Sequence, residues 1–453
     1  MTYEEFLKTK DFKTVRSGFE CDELNENLFD YQKAIVKWAL RKGRCALFED
    51  TGMGKTIQQL AWADAVCKHT NGSVLILAPL AVSKQTVKEA ERFGITAKLA
   101  ESQEDCIQGI NVTNYEKIHK FDTDEFQGIV LDESSIMKSY SGKTTKELQE
   151  RFIHTPYKLC CTATPSPNDY TEIGTTCEFL GVMPRSEMLS TFFINDMLKE
   201  HIGWRLKKHA EKEFFKWMAT WAMTIDNPSN IGFDGSAFIL PELNIQTHIL
   251  DSEPDENRLF AAFAETLTER RQARKKSLAD RVKLTNEIVK DTEQCLVWCD
   301  FNYESEELKN TIPDSVEVKG SDTSQHKENA MIGFSNGTVK TLISKPSICG
   351  FGMNWQNCHD MVFCGLSDSF EQFYQAVRRC YRFGQTKQVN VHVIISEAET
   401  NVLTNIQRKQ AEHNRMKEEM IAIMSDISKA EIYNHPFSNA TYKPQQQMML
   451  PNF

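Results

Sequence analysis

The chain has 453 residues, with 53 Lys and Arg against 63 Asp and Glu and a formal net charge of −10. That balance excludes nucleic-acid binding by bulk positive charge and confines any such contact to a local basic face. The length predicts about two or three domains, each able to bury its own core. The 13 cysteines are scattered, and Cys160-Cys161 and Cys295-x3-Cys299 lack paired metal-ligand spacings, so they read as reduced thiols. Met1-Thr-Tyr-Glu-Glu5 contains no apolar run, and no stretch approaches the ~20 apolar residues of a membrane span. A soluble, cytoplasmic protein is expected, with no membrane partner.

Short apolar runs at Cys45–Phe48, Val74–Ala78, Gly128–Leu131 and Leu159–Cys161 each precede a loop and a helix-like stretch. They predict parallel strands buried on both faces. From about Pro184 to Pro254 the rhythm breaks, and the chain becomes aromatic and basic around Trp204, Arg205, Lys207, Lys208, Trp217 and Trp221. Turn signals follow at Asn227–Asn230 and Asp234-Gly235. Glu256–Lys290 lacks Gly and Pro and predicts one long helix or a helix pair. A second strand set follows at Cys295–Trp298, Thr341–Ser344, Met361–Phe363 and Val389–Ile395, then a polar helix over Thr400–Ser425. The polar tail from Asn434 reads as loosely docked or disordered. The expected organisation is an N-terminal α/β lobe over 1–184, a mainly helical insertion and interlobe helix over 185–292, a second α/β lobe over 293–432 and a tail over 433–453.

Asp50-Thr-Gly-Met-Gly-Lys-Thr56 stands between the first predicted strand and a predicted helix, the context of a phosphate-binding loop. Gly52 and Gly54 permit the tight turn, with Thr51 and Met53 completing a loop whose amides face phosphate. Lys55 reaches the β- and γ-phosphates, and the Thr56 hydroxyl ligates Mg²⁺. Glu49 stands where the strict pattern has Gly. Asp132-Glu133 follows Ile129-Val-Leu131, at the strand end where α/β sheets bind ligands. Alone, such a pair reads as the start of a solvated loop. Beside the Lys55 loop, Asp132 reads as the Mg²⁺ ligand and Glu133 as the base that activates water for ATP hydrolysis.

Arg379 and Arg382 lie one helical turn apart and read either as fingers aimed at the γ-phosphate or as a basic surface helix. Arg378 is out of phase with them, facing outward or toward nucleic acid. Arg270, Arg271, Arg274, Lys275, Lys276, Arg281 and Lys283 lie opposite Leu259, Phe263 and Leu267. They form either a DNA-facing stripe or a solvated interlobe helix. The Trp204–Trp221 segment is either a protrusion that grips duplex or a protein partner, or a helical cap whose tryptophans fill its own core.

Together with Asp132-Glu-Ser-Ser135, Thr162-Ala-Thr-Pro165, Gly350-Phe-Gly-Met-Asn354 and Gln375–Gln385, the loop gives an ordered set over about Phe29 to Ile395. It resembles the Swi/Snf-type branch of superfamily-two helicase-like ATPases, in form closest to small versions carried by bacteriophages and prophages. The resemblance implies an α/β fold of two RecA-like lobes, with ATP and Mg²⁺ between them and a track for duplex DNA across their tops. Apart from the resemblance, a protein partner is expected through the insertion or the C-terminal helix. By the same resemblance Tyr31 and Gln32 read adenine, Thr162 and Thr164 relay nucleotide state, and Gln375 joins Arg379 and Arg382 on a sensing helix. Pro79, Thr113, Asn114, Tyr115, Gly352 and Asn354 touch the phosphate backbone. Ser135 replaces a histidine common at its position, and Gln385 stands where unwinding relatives often have arginine. The expected activity is ATP-driven translocation on duplex DNA. A strand-separating helicase, an RNA-directed ATPase and an ATP-switched adaptor with little turnover stand as alternatives.

Overall fold

The computed structural model describes residues 17–196, 203–251, 272, 274–350 and 353–433. In chain order its first nine strands are β1 (Arg44–Glu49), β2 (Ser73–Ala78), β3 (Ala97–Leu99), β4 (Ile110–Asn114), β5 (Phe126–Asp132), β6 (Tyr157–Cys161), β7 (Phe193–Asp196), β8 (Gly203–Leu206) and β9 (Ala222–Ile225). Seven of them form one sheet in the order β3-β4-β2-β5-β6-β1-β9, and every neighbouring pair is parallel. β7 and β8 pair antiparallel beside it. The runs that read as continuous apolar segments, such as Val74–Ala78 and Ile129–Leu131, are the buried centre of this sheet.

The remaining strands are β10 (Leu243–Leu250), β11 (Cys295–Trp298), β12 (Val316–Val318), β13 (Thr341–Ser344), β14 (Asp360–Phe363) and β15 (Val389–Ser396). They form a second all-parallel sheet in the order β10-β15-β14-β11-β13-β12. Two parallel α/β lobes are therefore present, as expected.

The segment between them differs from a mainly helical insertion. β9 pairs with β1 in the register Ala46↔Ala222 to Glu49↔Ile225, so the first lobe continues past residue 184. The helix Glu211–Ala219 turns Phe214, Phe215, Trp217 and Met218 inward, where Phe192, Phe193 and Trp221 join them in the core under the sheet. Trp217 and Trp221 meet edge to face at 5.4 Å. These aromatics fill the lobe's own core and leave Trp217 and Trp221 no face for duplex or partner. β10, by contrast, pairs along its whole length with β15 and belongs to the second lobe.

Of the predicted helix over 256–290, residues 272 and 274–290 lie within the described residues, with a helix over Leu278–Lys290. Its basic residues divide in two. Arg281 is fully buried and donates to Glu304 Oε1 at 2.9 Å, while Arg274 pairs with Asp300 at 3.0 Å and Glu399 at 3.2 Å. These arginines hold the second lobe together and do not line a DNA-facing stripe. Lys275, Lys276 and Lys283 are exposed, and Arg270, Arg271, Leu259, Phe263 and Leu267 lie outside the described residues.

The C-terminal helix runs over Thr400–Ile432, 33 residues, about 50 Å long. Val402 and Ile406 enter the core of the second lobe, whereas Met416, Met420, Met424 and Ile427 enter that of the first. Near its end the Glu431 carboxylate accepts from Trp38 Nε1 at 2.6 Å and from Lys42 at 2.8 Å. One helix thus straps both lobes. Among the described residues, no helix is long and apolar enough to cross a membrane.

Candidate active site

β1 ends at Glu49, the loop Asp50–Gly54 follows, and the helix Lys55–Thr70 begins at once. Gly52 and Gly54 have φ of 92° and 77°, the left-handed region that glycine adopts without a Cβ clash. They also admit close neighbours. A Cβ on Gly54 would lie 2.3 Å from Gln32 Nε2, and one on Gly52 would lie 2.8 Å from the Phe383 amide nitrogen of the second lobe. Lys55 Nζ donates to the carbonyls of Glu49 at 2.8 Å and Asp50 at 3.2 Å. Tyr31 and Gln32 brace the loop, donating to the Met53 carbonyl at 2.7 and 3.0 Å. The Gln32 side-chain oxygen also accepts from the Phe29 amide at 3.0 Å, so both ends of its amide are engaged.

Asp132 closes β5. Its Oδ1 accepts from Gln59 Nε2 at 2.7 Å, and its carbonyl accepts from the Tyr115 hydroxyl at 2.6 Å. Glu133 follows with φ 55° and ψ 54°, a left-handed conformation sparsely used by side-chain-bearing residues and often found where function requires it. The Thr162 hydroxyl donates to Glu133 Oε2 at 3.2 Å and accepts from the Thr164 amide at 3.1 Å, joining the end of β5 to the segment after β6. Ser135 points elsewhere, donating to Glu371 of the second lobe at 3.0 Å, and Lys138 pairs with the same carboxylate. Burial raises both carboxyls of the Asp132-Glu133 pair. For Glu133 burial, reinforced by the Asp132 charge, outweighs Lys55 and Arg379 and lifts it to about 7.

From the second lobe come the helix Phe370–Val377 and the turn that follows it. Arg379 is fixed by three bonds, donating to the Met353 carbonyl at 3.1 Å, the Gln375 carbonyl at 3.0 Å and the Gln375 side chain at 3.1 Å. Gln375 is therefore a buried support beneath Arg379. For Arg382, burial first and then repulsion from Arg379 push the guanidinium down to about 9, against a weaker pull from Glu89. An anion would relieve that site. Arg378 faces inward, rather than outward or toward nucleic acid as its helical phase suggests, because its guanidinium pairs with Asp50.

A cleft of about 630 Å³ brings Tyr31, Gln32, Thr51, Gly52, Gly54, Lys55, Thr56, Asp132 and Glu133 of the first lobe together with Arg379 and Arg382 of the second. The volume suits a nucleotide. Met53 is buried behind the loop. Thr56 and Asp132 offer the cleft a hydroxyl and a carboxylate, hard oxygen donors that fit Mg²⁺.

Of the backbone-contact set, Pro79 and Thr113–Tyr115 come together where β2 pairs with β4 in the register Ala78↔Asn114, and the Ser83 hydroxyl lies 3.2 Å from the Pro79 carbonyl and 3.4 Å from that of Thr113. Thr113, Asn114 and Tyr115 are buried at the end of β4, with Asn114 Oδ1 capping the Glu116 amide at 3.2 Å. Asn354 lines the interlobe cleft, Pro79 is half-buried ahead of the helix Leu80–Arg92, and Gly352 lies outside the described residues. Missed by the sequence were Phe383 against Gly52 and the Asp50 ion cluster, neither of which has a local signal.

Residues 31–213 match the SNF2-related domain, and residues 280–384 match the helicase conserved C-terminal domain. The putative ATP-dependent helicase/translocase YwqA of Bacillus subtilis is 23% identical over 432 residues, covering 81% of this chain and 46% of that protein. The SWI/SNF chromatin-remodeling complex subunit snf22 of Schizosaccharomyces pombe is 23% identical over 469 residues, covering 84% of this chain and 27% of that protein. The chain thus spans less than half the length of these curated relatives. Among solved structures, S. cerevisiae Dbp5 bound to RNA and ADP BeF3 shares the fold, with TM-score 0.53 and 11% identity over 87% of this chain and 93% of that one. The match to the SNF2-related domain thus falls on the first lobe and the match to the helicase conserved C-terminal domain on the second, in a chain built as two RecA-like lobes around one shared cleft.

Proposed function

We propose that this chain is a motor that hydrolyses ATP between its lobes to move along duplex DNA. One observation carries the reading: Lys55, Thr56, Asp132 and Glu133 share a single cleft with Arg379 and Arg382 of the opposite lobe. In this reading the loop amides and Lys55 hold the phosphates. Thr56 and Asp132 hold Mg²⁺, which when bound neutralises phosphate charge. Glu133, lifted toward neutrality by its burial, orients and deprotonates the attacking water. Arg379 and Arg382 stabilise charge on the transferred group, and because they come from the other lobe, hydrolysis depends on lobe closure.

Coupling of hydrolysis to movement is supported by the lobe-spanning contacts at Asp50 and Glu371 and by the likeness to a protein named as a helicase/translocase. Duplex DNA as the track is the reading favoured by the motif resemblance. It is tested by steady-state ATPase rates without nucleic acid and with single-stranded DNA, duplex DNA and duplex RNA, beside Glu133→Gln. Strong stimulation by duplex DNA, absent in the variant, is expected. Stimulation by single strands instead would indicate a strand-separating helicase, and negligible turnover throughout would indicate an ATP-switched adaptor.

A further inference from the structure

Behind the phosphate loop, a second cavity of about 400 Å³ opens between the lobes. One wall is the helix Phe370–Val377, which turns Phe370, Phe373, Tyr374 and Val377 toward it at spacings of three and four. The facing wall is the C-terminal helix, with Gln410, His413, Asn414 and Lys417 at the same spacings. Thr51, Gly52, Phe238 and Phe383 form a partition shared with the nucleotide cleft, so the two spaces lie on opposite sides of it. The volume falls in the range of small-molecule sites.

Its chemistry narrows the occupant. The charged groups on the walls cancel, since Asp50 pairs with Arg378 and Lys417, and Lys417 also pairs with Asp226 at 3.1 Å. A charged ligand would find no free counter-ion there. His413 is only 5% exposed, yet neither ring nitrogen has a hydrogen-bond partner among the described residues. Buried polar groups rarely stay unpaired unless something binds them. Burial, then the Lys417 charge, push this imidazole down to about 4, so at neutral pH it offers one N–H donor and one lone pair. Its ring centroid stands 5.1 Å from that of Tyr374 and 5.4 Å from that of Phe370, within an aromatic surround suited to a flat ring.

We infer that this cavity binds one uncharged, planar heteroaromatic molecule whose edge carries both a hydrogen-bond donor and an acceptor, the chemistry of a nucleobase. The base is either free, as a nucleoside, or swung out of a strand. Because the occupant touches both lobes and the phosphate loop, it holds the lobes together and changes the hydrolysis rate. This site stands apart from the choice of track, and failure of duplex DNA to stimulate hydrolysis would leave it intact.

The test is calorimetric titration of the full chain, its nucleotide cleft filled with a non-hydrolysable ATP analogue, by adenosine, guanosine, cytidine, thymidine and a short single-stranded oligonucleotide. At least one titrant binds once per chain. His413→Phe, which keeps a ring and removes both nitrogens, weakens it at least about tenfold while changing affinity for the analogue less than about twofold. Leu240→Trp, on a half-buried wall position, fills the space and abolishes binding; it carries the test alone if His413→Phe does not fold. Nucleoside binding with this dependence identifies a free base as the source, and binding of the oligonucleotide alone identifies a strand base. No saturable binding of any titrant, or binding that the variants leave unchanged, overturns the site.

Discussion

Lys417 of the C-terminal helix places its ammonium 2.6 Å from the Asp50 carboxylate, at the start of the phosphate loop. The same carboxylate accepts from the Tyr374 hydroxyl at 2.8 Å and the Thr51 amide at 2.6 Å, and it pairs with Arg378. Burial alone would raise this carboxyl, but Arg378 and Lys417 hold it well below the usual carboxylate range. A single buried anion therefore ties the loop of the first lobe to Tyr374 and Arg378 of the second and to the C-terminal helix that straps both.

Asp50→Asn leaves the buried Arg378 without its carboxylate and the half-buried Lys417 with Asp226 alone, and should lower stability by about 3–5 kcal/mol, measured by chemical denaturation. Because the folded-state pKa is depressed, the native contribution is fully present above the unfolded value of ~3.9. It is lost as pH falls through the folded value. The gap between native and variant should close in acid and persist at neutral pH. Lys417→Met should cost less, since Asp50 keeps Arg378.

Glu133→Gln should lower kcat about 10²- to 10⁴-fold while retaining ATP binding, read by single-turnover hydrolysis and nucleotide titration. The base must be ionised, and its burial raises it to about 7. The rate should therefore rise with pH through that region and level off above it. A flat profile of kcat/KM between about pH 6 and 8 would contradict the assignment of Glu133 as base.

Arg382→Ala should reduce kcat by about 10³-fold or more, the effect of an arginine finger, with little loss of nucleotide affinity. Its guanidinium is buried and repelled by Arg379, so removing it should not destabilise the nucleotide-free protein in thermal unfolding. Arg379→Lys should lose both activity and stability, because a lysine cannot reproduce the bonds to Met353 and Gln375.

How far the sequence discloses this arrangement depends on how local each determinant is. The phosphate loop, the Asp132-Glu133 strand end and most buried strands are legible because each is a continuous run with its own pattern. β9 is not, since four residues between an aromatic helix and a turn carry no periodic signal, and only pairing with β1 makes Ala222–Ile225 a strand. The Asp50 cluster is equally silent, as its partners Tyr374 and Lys417 lie more than three hundred residues away. Arg378 misleads for a related reason: helical phase sets it apart from Arg379 and Arg382, but its partner stands on the opposite lobe. Tyr115 reads as a loop contact because its bond to the Asp132 carbonyl is tertiary.

The basic segment around Arg281 offers a sharp contrast. Arg281→Ala removes the 2.9 Å charge-assisted bond to the fully buried Glu304, which keeps Arg274 at 3.3 Å, and should cost about 1.5–3 kcal/mol in thermal or chemical unfolding. Lys283→Ala, two residues on and exposed, should leave the unfolding midpoint where it is.

The most direct measurement is displacement of the third strand from a DNA triplex by the full chain in the presence of ATP. Movement along duplex DNA predicts release of the third strand with the underlying duplex intact, and no release with Glu133→Gln. A third strand left in place while duplex DNA stimulates hydrolysis, or release only where the duplex itself melts, would contradict translocation.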